Sequence, residues 1–189
     1  MPGGNTPTPF FNYIAKKQLN WSKTTILLSD ERLVPTSHIK SNYRKVHINL
    51  IKKITNSPPP HFVKYNKSFD DLDEYLSTIG TPDLSILGFG EDGHTASIFP
   101  NNFKTYNNKG NLIKIKNKWE KFERLSLSFD YLLKSKKIVF LLIGLEKASA
   151  LKRCLSKKYN PRNFPAQYLL KNFKNDIFIY CDSSAASLL

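Results

Sequence analysis

Four short apolar runs stand out from a polar background, at residues 24–28, 84–87, 138–143 and 177–180. Each is largely apolar rather than strictly alternating, the pattern of a parallel strand covered on both faces. Between them the spacing turns helical. Residues 7–18 carry Phe10, Phe11 and Ile14 at helical intervals, and residues 42–54, 69–79 and 146–155 behave alike. Strand and helix signals that alternate in this way predict an α/β layer structure: a doubly wound, mostly parallel sheet flanked by helices. Residues 124–128 add a further strand. Pro58, Pro59 and Pro60 mark a loop, and the asparagine- and lysine-rich span 101–117 reads as a surface excursion.

A chain of 189 residues, 40% hydrophobic and 23% charged, can bury a core as a single domain. Its longest apolar run, residues 138–145, falls far short of the ~20 residues that span a bilayer. No secretory signal is recognisable, so a cytoplasmic protein without a membrane partner is expected. Cys154 and Cys181 show neither pairing nor metal-ligand spacing and read as reduced thiols. The net charge of +14 raises the question of nucleic acid. Yet only five of the 29 basic residues are arginine (Arg32, Arg44, Arg124, Arg153, Arg162), and the lysines are scattered. No nucleic-acid partner is expected; a diffuse positive field would instead gather a small anion. Oligomeric state is not legible, and a monomer is the default expectation.

The chemistry concentrates in residues 82–100, Pro-Asp-Leu-Ser-Ile-Leu-Gly-Phe-Gly-Glu-Asp-Gly-His-Thr-Ala-Ser-Ile-Phe-Pro. A buried strand empties into a glycine turn that delivers His94 to the strand's carboxyl end, where open α/β sheets bind their ligands. An imidazole close to Asp92 and surrounded by small residues suits a general base. Gly88, Gly90 and Gly93 formally match G-x-G-x-x-G, but Glu91 and Asp92 would stand where a pyrophosphate needs N–H donors. A dinucleotide is therefore not expected, nor any other cofactor. His38, His47 and His61 form no ligand-spaced cluster with His94, so no metal is expected.

This stretch resembles that of the 6-phosphogluconolactonases, relatives of the glucosamine-6-phosphate deaminases. Further segments agree in the family's order: Gly3-Gly4-Asn5-Thr6-Pro7, Ser29-Asp30-Glu31-Arg32-Leu33-Val34-Pro35, Ser41-Asn42-Tyr43-Arg44, and Phe140-Leu141-Leu142-Ile143-Gly144-Leu145-Glu146-Lys147-Ala148, with Pro165-Ala166 as a weaker addition. The resemblance spans nearly the whole chain and implies a Rossmann-like fold. It also implies hydrolysis of 6-phospho-D-glucono-1,5-lactone to 6-phosphogluconate in the oxidative pentose phosphate route. By resemblance, His94 is the base and Asp92 orients it. Gly3, Gly4, Asn5 and Thr6 form a phosphate loop aided by Lys147, Arg32 and Arg44 hold the acidic substrate, and Asp30 bonds sugar hydroxyls. Backbone N–H groups of residues 88–93 are candidate oxyanion donors.

The family's first strand would end where Met1 and Pro2 stand, so the chain is expected to be N-terminally incomplete. It would lack that strand (~5–6 residues) and the helix before it (~11–12). Two alternatives remain: a glucosamine-6-phosphate deaminase-like enzyme, or a catalytically impaired sugar-phosphate-binding fragment. The deaminases typically carry an aromatic residue after Asp-Glu and an extra acidic residue after the histidine. Arg32 and the run Thr95-Ala96-Ser97-Ile98-Phe99-Pro100 favour the lactonase.

Overall fold

The computed structural model describes residues 1–65, 68–102, 110–116 and 121–189. Strands β1 (Thr25–Ile26), β2 (Asp30–Arg32), β3 (His61–Phe62), β4 (Leu84–Gly88), β5 (Leu112–Ile115), β6 (Arg124–Leu127), β7 (Lys137–Leu142) and β8 (Asp176–Cys181) alternate with helices. The helices are α1 (Thr8–Ile14), α2 (Asn42–Asn49), α3 (Phe69–Thr78), α4 (Phe129–Leu133), α5 (Ala148–Leu155) and α6 (Ala166–Asn172). The four apolar runs all contribute strands. β4, β7 and β8 pair in parallel, with Ile86 opposite Val139 and Ile138 opposite Ile177, and β1 pairs in parallel with β3. β2, β6 and β5 form a separate antiparallel sheet.

Met1 and Pro2 lie between β1 and β4. The Met1 amino group donates to Leu27 O at 2.6 Å, and Ser29 N donates to Met1 O at 2.8 Å, which prolongs the β1 edge by one bonded residue. On the other side Pro2 packs beside Gly88, at the end of β4. The core is apolar and continuous: Leu28, Val46, Leu50, Leu72, Leu76 and Phe140 are all fully buried. Burying a side chain of this size stabilises by roughly 1.5–3 kcal/mol.

Three sequence expectations shift. The helix expected over 42–54 breaks at Leu50 (φ −123°, ψ −67°) and continues as a 3-10 turn. The helix expected over 7–18 is regular only to Ile14. The supposed surface excursion holds β5, whose Leu112, Ile113 and Ile115 are buried. Four residues flanked by asparagine and lysine were too few to announce it, and residues 103–109 and 117 of that span lie outside the described ones.

Candidate active site

The turn after β4 is built around the imidazole. Gly90 N donates to His94 O at 2.8 Å and Gly93 N to Gly90 O at 3.0 Å, closing the turn on itself. A Cβ at Gly90 would collide with the His94 ring, so only glycine lets the ring fold back here. His94 Nδ1 lies 2.6 Å from Asp92 Oδ1, which also accepts from His94 N at 3.0 Å. A carboxylate only accepts, so Nδ1 carries the proton and Nε2 is left as the basic nitrogen. Burial works to raise the Asp92 carboxyl, but the hydrogen bonds and charge of His94 outweigh it and hold the group below its ordinary value. Phe99 flanks the imidazole, ring centroids 4.6 Å apart. The His94 side chain stays 30% exposed, reachable by water and substrate. Ala166 N donates to Gly93 O at 2.8 Å, so the Pro165-Ala166 segment docks on the same turn.

The loop of residues 3–6 is placed by α2. A Cβ at Gly3 would overlap the Asn42 side chain. Asn42 in turn donates from Nδ2 to Asp30 O at 2.8 Å and accepts from Arg32 Nη1 at 2.9 Å. Glu31 is buried and caps α2: its carboxylate accepts from the N–H groups of Arg32, Asn42 and Tyr43, each at 2.7 Å, and from Ser41 Oγ at 3.0 Å. Arg32 thus reaches the loop through Asn42, and among the described residues its guanidinium bonds neutral oxygens, those of Asn42 and of Lys40 at 2.8 Å. Its Nε is buried without a hydrogen-bond partner among the described residues. An arginine with buried edges and neutral acceptors is suited to receive an anion.

Lys45, which sequence reasoning missed, donates from Nζ to Asn5 Oδ1 at 3.2 Å. Burial, then the charges of Arg32 and Lys40, hold its ammonium below the usual lysine value. The signal was available, since Lys45 lies three residues after Asn42 on one face of α2. Arg44, two residues after Asn42, falls on the far side of that helix. Its described hydrogen bond is the N–H donated to Ser41 Oγ at 3.1 Å, and none among the described residues joins its guanidinium to the loop.

Lys147 ends a 3-10 turn, Leu145–Lys147, just before α5. Its Nζ lies 3.7 Å from Glu91, in the His94 turn, and 3.7 Å from Glu146. The lysine therefore flanks the imidazole's turn, and Pro2 beside Gly88 brings the start of the loop to the same strand end.

Two expectations need correcting. Asp30 is 6% exposed and its oxygens are occupied from within: Oδ2 accepts from Ser97 Oγ at 2.6 Å and lies 3.5 Å from Arg124, while Oδ1 accepts from Ser29 Oγ at 3.2 Å. It supports the site instead of facing a sugar. Within the turn expected to offer oxyanion donors, the N–H groups of Gly90 and Gly93 are engaged internally, which narrows that expectation to the other N–H groups of residues 88–93. Among the described residues no three His, Cys, Asp or Glu side chains cluster as metal ligands, and no helix is long and apolar enough to cross a membrane.

The sequence model of the family described as glucosamine-6-phosphate isomerases/6-phosphogluconolactonase matches residues 1–178. A 6-phosphogluconolactonase of Haemophilus influenzae is 32% identical, the match covering 100% of this chain and 86% of the relative. A probable 6-phosphogluconolactonase of Dictyostelium discoideum is 28% identical, over 94% of this chain and 81% of its own. The crystal structure of a 6-phosphogluconolactonase from Shewanella baltica superposes with a TM-score of 0.87 at 27% identity, over 95% of this chain and 81% of that one.

Proposed function

The chain belongs to the glucosamine-6-phosphate isomerase/6-phosphogluconolactonase family, and we propose that it hydrolyses 6-phospho-D-glucono-1,5-lactone to 6-phospho-D-gluconate with His94 as general base. The observation that carries the reading is the pairing of His94 Nδ1 with Asp92 at 2.6 Å, at the carboxyl end of a parallel strand, with the ring still accessible. Nε2 takes a proton from water as the water oxygen bonds to the lactone carbonyl carbon, and the carbonyl electron pair moves onto its oxygen. Collapse of this tetrahedral oxyanion restores the carbonyl and breaks its bond to the ring oxygen. The ring oxygen takes the proton from the imidazolium, leaving an open-chain acid and neutral His94. Asp92 stabilises the imidazolium between the two steps, as a hydrogen-bonded carboxylate does for a histidine base.

The phosphate fits the other end of the site. Residues 3–6 offer exposed backbone at Gly4 and Asn5 beside Arg32 and Lys45. Lys147 adds its charge from the β7 side, and its two carboxylate contacts at 3.7 Å are long enough to yield to a dianion. Lys45 takes here the part that sequence alone gave to Arg44. The product is the acid consumed in the next oxidative step of the pentose phosphate route, and our reading is of a cytoplasmic reaction.

Freshly generated lactone and glucosamine 6-phosphate, offered separately to purified protein, test the assignment. Acid release above the spontaneous rate from the lactone, and no ammonia from the amino sugar, is the expected result. Ammonia release would establish the deaminase reading, and binding of 6-phosphogluconate without turnover would establish an impaired binder.

A further inference from the structure

We propose that Asp30, Ser97 and Arg124 form one buried clamp that sets the ring plane of His94 through Phe99. They are positioning residues: none of them touches the reacting atoms. The proposal rests on the lactonase reading only in naming His94 as the base.

The segment that follows His94 does not hold its shape by itself. Thr95 bridges Ile98 in a tight turn, and Ala96 sits in the left-handed region at φ 51°, which a side chain with a Cβ adopts at a cost. Its neighbours are bonded on every side. Thr95 Oγ1 donates to Gly88 O at 2.9 Å, which ties the turn to the end of β4. Ser97 is fully buried, and its N–H donates to Ser126 Oγ at 3.1 Å. Its hydroxyl donates to Asp30 Oδ2 at 2.6 Å and accepts from Arg124 Nη1 at 3.4 Å. Arg124 closes the triangle, 3.5 Å from the same Asp30 oxygen. Asp30 and Arg124 come from β2 and β6, neighbours in the antiparallel sheet, so a rigid ladder fixes their separation.

From this clamp a second contact leads back to the base. The Arg124 guanidinium carbon lies 5.5 Å from the centre of the Phe99 ring, a cation over an aromatic face. The same ring also meets the imidazole, at 4.6 Å and an interplanar angle of 46°. Asp92 holds His94 by one edge and leaves rotation about that hydrogen bond open. Phe99 removes this freedom, and Arg124 keeps Phe99 in place. A reacting nitrogen misplaced by about 1 Å loses up to about 100-fold in rate, so the arrangement acts on turnover and not on substrate affinity.

The test compares Arg124→Met, Arg124→Lys, Ser97→Ala and the double variant Asp30→Asn/Arg124→Met. The double variant removes both charges of the Asp30–Arg124 pair together, which guards against the misfolding that follows from stranding one of them. The expected loss in kcat is about 10- to 100-fold, with KM and the calorimetric Kd for 6-phosphogluconate within about twofold of wild type. Arg124→Lys, which retains a cation over Phe99, recovers part of the rate. Proton NMR reads the ring directly: the His94 ring resonances move in Arg124→Met as the ring current of Phe99 changes. Wild-type kcat together with unchanged His94 resonances, in a folded Arg124→Met or double variant, overturns the clamp. A fall in product affinity that parallels kcat also overturns it, because the residues would then be ligands. If wild-type protein turns over no lactone, the functional reading fails by itself, and the His94 resonances still decide the clamp.

Discussion

Gly3→Ala perturbs the phosphate loop at one atom, and the structure sets the size of the effect. The new Cβ would overlap the Asn42 side chain at its Cβ, Cγ and Oδ1. If Asn42 gives way, it loses the bond to Asp30 O at 2.8 Å and the charge-assisted bond from Arg32 at 2.9 Å. A neutral hydrogen bond contributes about 0.5–1.5 kcal/mol and one to a charged group about 1.5–3. The sum, roughly 2–4.5 kcal/mol, sets a ceiling of about 30- to 2,000-fold on the loss in binding, reached if the ligand must restore both bonds. If the loop gives way instead, Asn42 keeps its bonds but the loop's N–H groups leave their place beside Arg32. Either response lowers affinity for a phosphorylated ligand and leaves His94 untouched. Gly4→Ala is the matched control, since its Cβ would meet only Pro7 Cδ, at 3.9 Å. Isothermal calorimetry with 6-phosphogluconate and with gluconate reads the outcome. Gly3→Ala should lose affinity for the first ligand only, Gly4→Ala, which leaves Asn42 in place, should lose less, and Gly3→Ala/Asn42→Gly should recover part of the loss. Wild-type affinity in Gly3→Ala, or equal damage from both alanines, would refute the packing argument.

Lys45→Gln should weaken 6-phosphogluconate but not gluconate, and high salt should reproduce part of the loss by screening. The Lys45 ammonium is held low by burial and by Arg32 and Lys40, so it carries charge below its depressed pKa and loses it as pH rises. Wild-type affinity should therefore decline at less alkaline pH than an ordinary lysine would impose, and the same pH slope in Lys45→Gln would exclude this role. Lys147→Ala should discriminate between the two ligands in the same sense, and equal effects on both would show that Lys147 does not read the phosphate. Burial pushes the Cys154 thiol up to about 12, whereas Cys181 is exposed. A thiol reagent at neutral pH should modify Cys181 promptly and Cys154 only on unfolding, and rapid labelling of both in folded protein would contradict the packing of α5.

What the sequence disclosed follows from where its information is local. The strand, glycine turn and histidine of residues 84–94 are contiguous, so their geometry could be inferred from order alone. The parallel strands announced themselves because burial on both faces makes a run apolar throughout. β2 is the opposite case: Asp30-Glu31-Arg32 reads as a polar loop, yet Asp30 and Glu31 are buried because they are bonded to Ser97 and to the start of α2. Nothing local distinguishes a carboxylate that faces a sugar from one that holds Ser97, since Ser97 is 67 residues away in sequence. Arg124 was hidden for the same reason, as its partners Asp30 and Phe99 are set by the β2–β6 ladder and the Thr95–Ile98 bridge. Lys45 lies within reach of helical periodicity, but the neighbouring Arg44 matches the family's pattern more closely.

The central claim is that His94 supplies the base for lactone opening, and the steady-state rate of His94→Ala on fresh 6-phospho-D-glucono-1,5-lactone tests it most directly. The rate is taken after subtraction of spontaneous hydrolysis, alongside the calorimetric Kd for 6-phosphogluconate. General acid–base catalysis contributes about 10²- to 10⁴-fold, so kcat should fall by that factor while product affinity stays close to wild type. A folded His94→Ala protein that hydrolyses the lactone at the wild-type rate would contradict the account.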